Sequence, residues 1–195
     1  MASHPPFGIT VCGIEELGGH AALGATHVLS ILDPDYPVPE AFGQYGEHAR
    51  LERRFHDIID PMPGMILPSP ADVDAVLSFG RLLQAEAAAM LLVHCHAGVS
   101  RSTASMVLIL AQAMPHVSAA EIIGTVYGIR EKAWPNLRLL EMGDARLGRG
   151  GSLVEAAFGL YRLQLERRPQ IADFMLGEGR GREVAGGRVS PPLRL

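Results

Sequence analysis

Apolar residues along the chain come in short bursts separated by breaks rich in proline and glycine. Gly8–Cys12 (GITVC) and Ala25–Leu32 (ATHVLSIL) are of strand length, and Asp33-Pro34 closes the second. Between them, Ile14–Ala22 reads as a short helix weakened by Gly18-Gly19. Arg50–Ile58 (RLERRFHDI) reads as a third strand, charged enough to lie at an edge or at a strand end near a site. Met90–Val93 is a fourth run, short and apolar throughout, as a buried strand is.

Elsewhere the period is helical. Ser69-Pro70-Ala71-Asp72 combines an N-cap, a proline at the first helical position and a capping box. Val73, Val76, Leu77 and Leu83 then share one face, and this helix leads back to the Met90 strand as the crossover of a βαβ unit. From Ser102 a helix runs through Val107, Leu108, Leu110 and Ala111 and ends near Met114, because Pro115 follows. Ser118 with Glu121 opens another, faced by Ile122, Val126 and Ile129. Trp134-Pro135-Asn136 breaks it and caps the next, with Leu137, Leu140 and Leu147 toward the core. Ser152 and Glu155 open a last helix, with Phe158, Tyr161 and Leu165 on one face, up to Pro169.

This order predicts an α/β fold, with a central mixed, mostly parallel sheet flanked by helices and an additional C-terminal helix. Tyr36–His48 reads as a surface loop. Pro61, Pro63, Gly64, Pro68 and Pro70 mark a second loop, long enough to be functional. After Leu176 the chain is rich in Gly and Arg, so residues 176–195 are expected as a flexible tail on a single domain of residues 1–175, with Arg180, Arg182, Arg188 and Arg194 solvated.

Bulk properties narrow the function classes. The 48% hydrophobic and 19% charged content is that of an ordinary globular protein. A net charge of −4 gives no reason to expect nucleic acid or an anionic membrane as partner. No apolar run reaches the length of a membrane span, and MASHPPFG lacks the pattern of a signal peptide. Two cysteines, Cys12 and Cys95, make no disulfide framework and suit a reducing compartment, so a cytoplasmic location is expected. Cys12 reads as a small buried hydrophobe, His27, His48 and His56 as structural or surface histidines, and Asp33 as a turn residue.

The chemistry concentrates in Met90–Thr103 (MLLVHCHAGVSRST). A buried strand ends at His94-Cys95, Gly98 and two serines follow, and Arg101 stands where a helix begins. A helix N-terminus offers unpaired N–H groups and a positive dipole end, and a loop curled on successive N–H groups deepens an anion site. Arg101 adds a planar fork for two phosphate oxygens. A thiol in such a field has its pKa lowered from about 8.5, and a thiolate aimed at phosphorus is a nucleophile. A metal site at His94, Cys95 and His96 is disfavoured, because adjacent residues of a strand point to opposite faces and no second cluster completes the set. No metal and no cofactor are expected.

The string His94-Cys95-His96-Ala97-Gly98-Val99-Ser100-Arg101-Ser102 resembles the signature loop of the cysteine-dependent protein tyrosine phosphatases, a Cys and an Arg separated by five residues. Its ending most resembles the dual-specificity branch, and Arg130 with Pro135-Asn136 resembles that branch's late Arg and Pro-Asn pattern. The resemblance covers roughly residues 8–147. It implies hydrolysis of phosphate monoesters through a cysteinyl-phosphate intermediate, with a phosphorylated protein or small phosphate monoester as substrate and phosphate, sulfate or vanadate as site ligands. Cys95 would be the nucleophile. Arg101 and the N–H groups of His96, Ala97, Gly98, Val99, Ser100 and Arg101 would hold the phosphate. Ser102 would assist the sulfur as leaving group, and His94 would tune the thiolate. The family's general acid is an Asp upstream of the Cys. Asp57, directly after Arg54-Phe55-His56, is favoured, and Asp60 is the alternative. Both stand farther from Cys95 than is common in the family, a departure that also admits a phosphate-binding pseudophosphatase that recognises phosphorylated partners.

Overall fold

The computed structural model describes residues 4–86 and 88–193, so Arg194 lies outside the described residues. Four strands form one sheet: β1 (Gly8–Cys12), β2 (His27–Leu32), β3 (Ala49–Arg54) and β4 (Met90–His94), in the order β1-β4-β2-β3. All three pairings are parallel. The antiparallel member that a mixed sheet implies is absent among the described residues. The physical reason is the connections, residues 13–26, 33–48 and 55–89, none of which is of hairpin length. The first two each carry a 3₁₀ helix, Ile14–Leu23 and Glu40–Gln44, and the third carries α1 (Pro70–Leu83).

β2 and β4 are central, and β2 is buried at every position, with Val28, Leu29, Ile31 and Leu32 apolar and Ser30 bonded to His94. β3 is the edge strand that its charges indicate. It is shorter than the apolar pattern predicts, because pairing stops at Phe55 N–H to Leu32 O and His56 N–H turns instead to Ile66 O. Residues 56–58 are thereby freed from the sheet and become loop. Because all strands run one way, the residues just beyond their ends, Gly13, Asp33, Phe55 and Cys95, meet along one edge of the sheet. In parallel α/β sheets ligands bind there.

Helices α2 (Arg101–Ala113), α3 (Ala119–Ile129), α4 (Leu137–Leu147) and α5 (Ser152–Arg167) follow β4. Every residue of α2 from Arg101 to Ala111 is buried, so this helix is the axis on which α1, α3 and α4 pack. The capping boxes at Ser69/Asp72 and Ser118/Glu121 form as their spacing predicts.

The segment after Leu176 corrects its sequence reading. Ile171–Gly177 is α6 and Gly181–Val189 is α7, and α7 lies on α5. Its glycines allow close approach and do not mark looseness. A Cβ on Gly186 would strike the Phe158 ring, and one on Gly187 would stand 2.9 Å from Tyr161 Cβ. Arg180 and Glu183 are buried, contrary to a solvated tail, and Leu193 N–H still bonds Gly159 O at 2.9 Å. Among the described residues no helix is long and apolar enough to cross a membrane.

Candidate active site

The loop from Cys95 to Arg101 joins the end of β4 to the first turn of α2. Its carbonyls from His96 to Ser100 are claimed from outside. His96 O accepts from Ile14 N–H at 2.9 Å, Ala97 O from Arg130 Nη2 at 2.9 Å and Gly98 O from Arg130 Nε at 2.8 Å. Val99 O accepts from Trp134 N–H at 2.9 Å, and Ser100 O from Asn136 N–H at 3.2 Å. In a trans peptide C=O and N–H point in opposite directions, so tying these carbonyls outward turns the following N–H groups inward. The result is a ring of donors built for an anion. Gly98 takes φ +65°, and a Cβ there would collide with the backbone of Cys12 and with the Arg130 guanidinium. Arg130 is itself held by Glu16, with Nη2 to Oε2 at 2.6 Å and Nη1 to Oε1 at 3.0 Å. That hydrogen bond pulls the Glu16 pKa down to about 2 against the opposing loss of solvent.

Cys95 is at the floor of the loop, with Sγ 3.1 Å from Ser102 Oγ. Arg101 is 3% exposed, and its Nη1 donates to Asp33 Oδ1 and to Phe55 O, both at 2.6 Å. Asp33 therefore does more than turn the chain, although the Tyr36 N–H to Asp33 O bond of a turn is also present. Its N–H donates to His96 Nε2 at 3.1 Å, so one residue orients two members of the loop. Behind the loop His94 is fully buried, bonded to Ser30 Oγ at 2.7 Å. Loss of solvent pushes its pKa down to about 4, so it is neutral at pH 7. Cys12, also fully buried, has its thiol pushed up to about 12 by burial, as suits packing.

Of the two acid candidates, only Asp57 lines the cavity above Cys95. Its Oδ1 accepts from Ser100 Oγ at 2.7 Å, Asn136 Nδ2 at 2.9 Å and Arg180 Nη1 at 3.2 Å. Burial raises its pKa, but Arg180, Arg101 and the Ser100 and Asn136 hydrogen bonds outweigh it, and the net shift is downward. Asp60 does not line the cavity and is paired with Arg182 at 3.2 Å. The cavity, of about 330 Å³, is floored by Cys95–Arg101 and walled on one side by Ile171, Phe174 and Met175 of α6.

Sequence reasoning placed Cys95, Arg101, Ser102, Asp57 and the loop residues, and the fold brings them together. It missed Asp33, Arg180 and the α6 wall. Asp33 directly follows a strand end, which is a usable signal in a parallel sheet. Arg180 carries no local signal for the site, because the site residues it contacts, Asp57 and Ser100, lie far away in the chain.

The sequence matches no protein-family model and no curated protein. Solved structures are similar to it. A phosphatase of Cydia pomonella, PTP-2, superposes with a TM-score of 0.56 at 18% identity, over 74% of this chain and 90% of that one. The human tyrosine phosphatase-like serine/threonine/tyrosine-interacting protein gives 0.55 at 16% identity, over 73% and 93%. Human DUSP28 gives 0.53 at 18% identity, over 72% and 94%. These likenesses establish the fold: an α/β architecture shared with tyrosine and dual-specificity phosphatase structures, to which this chain adds roughly a quarter of its length.

Proposed function

We propose that the protein hydrolyses phosphate monoesters through a cysteinyl-phosphate, as a protein tyrosine or dual-specificity phosphatase does. One observation carries the reading. A thiol, a carbonyl-out loop and a braced arginine converge on one cavity that also holds a carboxyl group. The loop N–H groups and Arg101 hold the three non-bridging oxygens, where transition-state charge spreads. Cys95 sulfur bonds phosphorus as the ester P–O bond breaks, and Asp57 gives its proton to the departing oxygen. Water then attacks phosphorus with Asp57 carboxylate as base, the S–P bond breaks, Ser102 donates to the leaving sulfur, and inorganic phosphate departs. Asp57 is charged at neutral pH. A dianionic phosphate beside it disfavours that charge, so substrate itself promotes protonation of the acid. A phosphorylated protein or small phosphate monoester is the substrate, and a free thiol nucleophile suits the cytoplasm.

The same charge on Asp57 favours a second reading, a phosphate-binding pseudophosphatase that recognises phosphorylated partners. Aryl phosphate turnover by wild type, Cys95→Ser and Asp57→Ala separates the two. The hydrolase reading expects no turnover in Cys95→Ser with vanadate still bound, and a loss of about 10²–10⁴-fold in Asp57→Ala. Full activity in Cys95→Ser refutes it. No turnover in wild type, with vanadate bound, selects the binding module.

A further inference from the structure

Arg180 has no part in the hydrolytic scheme, yet it is a buried charge that the C-terminal helices bring to the site. It stands between α6 and α7 and is 3% exposed. Nη1 donates to Asp57 Oδ1 at 3.2 Å. Nη2 donates to Ser100 Oγ at 3.0 Å and to Glu183 Oε1 at 2.7 Å. Ser100 Oγ donates in turn to the same Asp57 oxygen at 2.7 Å. Glu183 is fully buried and braced by Trp134 Nε1 at 2.6 Å and Leu137 N–H at 2.9 Å, so the guanidinium has one orientation. Burying a charge is costly unless it is paired, and here one partner of the guanidinium is the acid and another belongs to the phosphate loop, while its Nε has no partner among the described residues.

We propose that Arg180 is the positioning residue of the acid step: it locks Asp57 and Ser100 to each other through Oδ1 and leaves Oδ2 for the leaving-group oxygen. The inference rests on the hydrolytic reading of Cys95. Asp57 is faced by Arg180 and Glu183 from the C-terminal helices, Arg101 from α2, Cys95 and His96 from the loop, and Tyr161 from α5, and Lys132, Arg168 and Glu178 line the same cavity. Arg180 stands nearest among the cations and favours the carboxylate. Without it Asp57 keeps its proton to higher pH and is held only by Ser100 and Asn136.

The test compares full-length wild type, Arg180→Met and Arg180→Lys on phenyl phosphate and dinitrophenyl phosphate. Only the first ester has a leaving group basic enough to need the acid. Arg180→Met is expected to lose tenfold or more, roughly, on phenyl phosphate and far less on the dinitrophenyl ester, with the basic limb of its pH profile moved upward. Arg180→Lys, which keeps the charge without the fork, falls between. Equal losses on both esters, or an unmoved limb, overturn the proposal. If Arg180→Met does not fold, a carboxyl-carbon NMR titration of wild type decides. Asp57 titrating below the ordinary carboxylate range supports the clamp, and a value in or above that range overturns it. A wild type that hydrolyses neither ester removes the phosphatase reading itself. That failure is distinct from active enzymes that do not differ.

Discussion

Arg130→Met removes the residue that turns two loop carbonyls outward and leaves the residues of the cavity floor themselves unchanged. The cost follows from the contacts. Arg130 donates to Ala97 O at 2.9 Å and Gly98 O at 2.8 Å, and hydrogen bonds from a charged donor contribute about 1.5–3 kcal/mol each. Ala97 is exposed, so water replaces much of its bond; Gly98 is buried, so its carbonyl is left unpaired or must rotate. Counting the first at about 1 and the second at about 2 kcal/mol, the outward loop loses roughly 3 kcal/mol of support. A carbonyl that rotates inward meets the bound anion with its negative end. The expected result is oxyanion affinity weaker by about two orders of magnitude, at 1.4 kcal/mol per decade. Calorimetric titration with vanadate measures it, and thermal melting separates loop damage from global unfolding. Glu16→Gln keeps both loop bonds and weakens the brace together with the Gly13 cap, so its effect should be tenfold or less, roughly. Vanadate binding by folded Arg130→Met within about threefold of wild type would refute the carbonyl-out account of the loop.

Two further predictions concern stability. His94 titrates near 4 folded against an ordinary 6.5, so between those values the unfolded chain binds the extra proton. Stability should therefore be complete above pH 6.5, fall by about 3 kcal/mol as pH drops to 4, and lose much of that slope in His94→Gln. Melting temperatures at several pH values check this, and an unchanged slope in the variant counts against it. Gly187→Ala forces a Cβ to within 2.9 Å of Tyr161 Cβ and should cost about 2 kcal/mol, or about 6 °C in melting temperature. A variant as stable as wild type would mean that α7 is not seated on α5 by this contact.

What the sequence made legible was what short-range pattern encodes. Met90–Val93 was readable as a strand and Arg101–Ala113 as a helix because burial imposes a period. The capping boxes at Ser69 and Ser118 were readable because both partners lie within one turn. The loop was readable because Cys95, Gly98, Arg101 and Ser102 fall within eight positions. Asp33 was half legible: its turn is local, whereas its grip on Arg101 spans 68 positions. Residues 181–189 were misread because glycine has one spelling for two roles, freedom in a tail and contact between helices. Only Phe158 and Tyr161, placed opposite by the fold, decide which. The parallel sheet was underspecified because pairing direction is set by connections and not by strand composition.

Contacts that complete the site differ greatly in reach. Sulfur and Ser102 are 7 positions apart, Asp57 and Ser100 are 43, and Asp57 and Arg180 are 123. In the order of synthesis, the thiol and its loop exist long before Arg180 is made. A nascent chain can close the oxyanion loop while its carboxyl remains unclamped, and the last contact to form is the one of longest reach. Completion of the carboxyl side of the cavity thus coincides with the arrival of α7, so a chain cut short before Arg180 has the loop but not the assembled cavity.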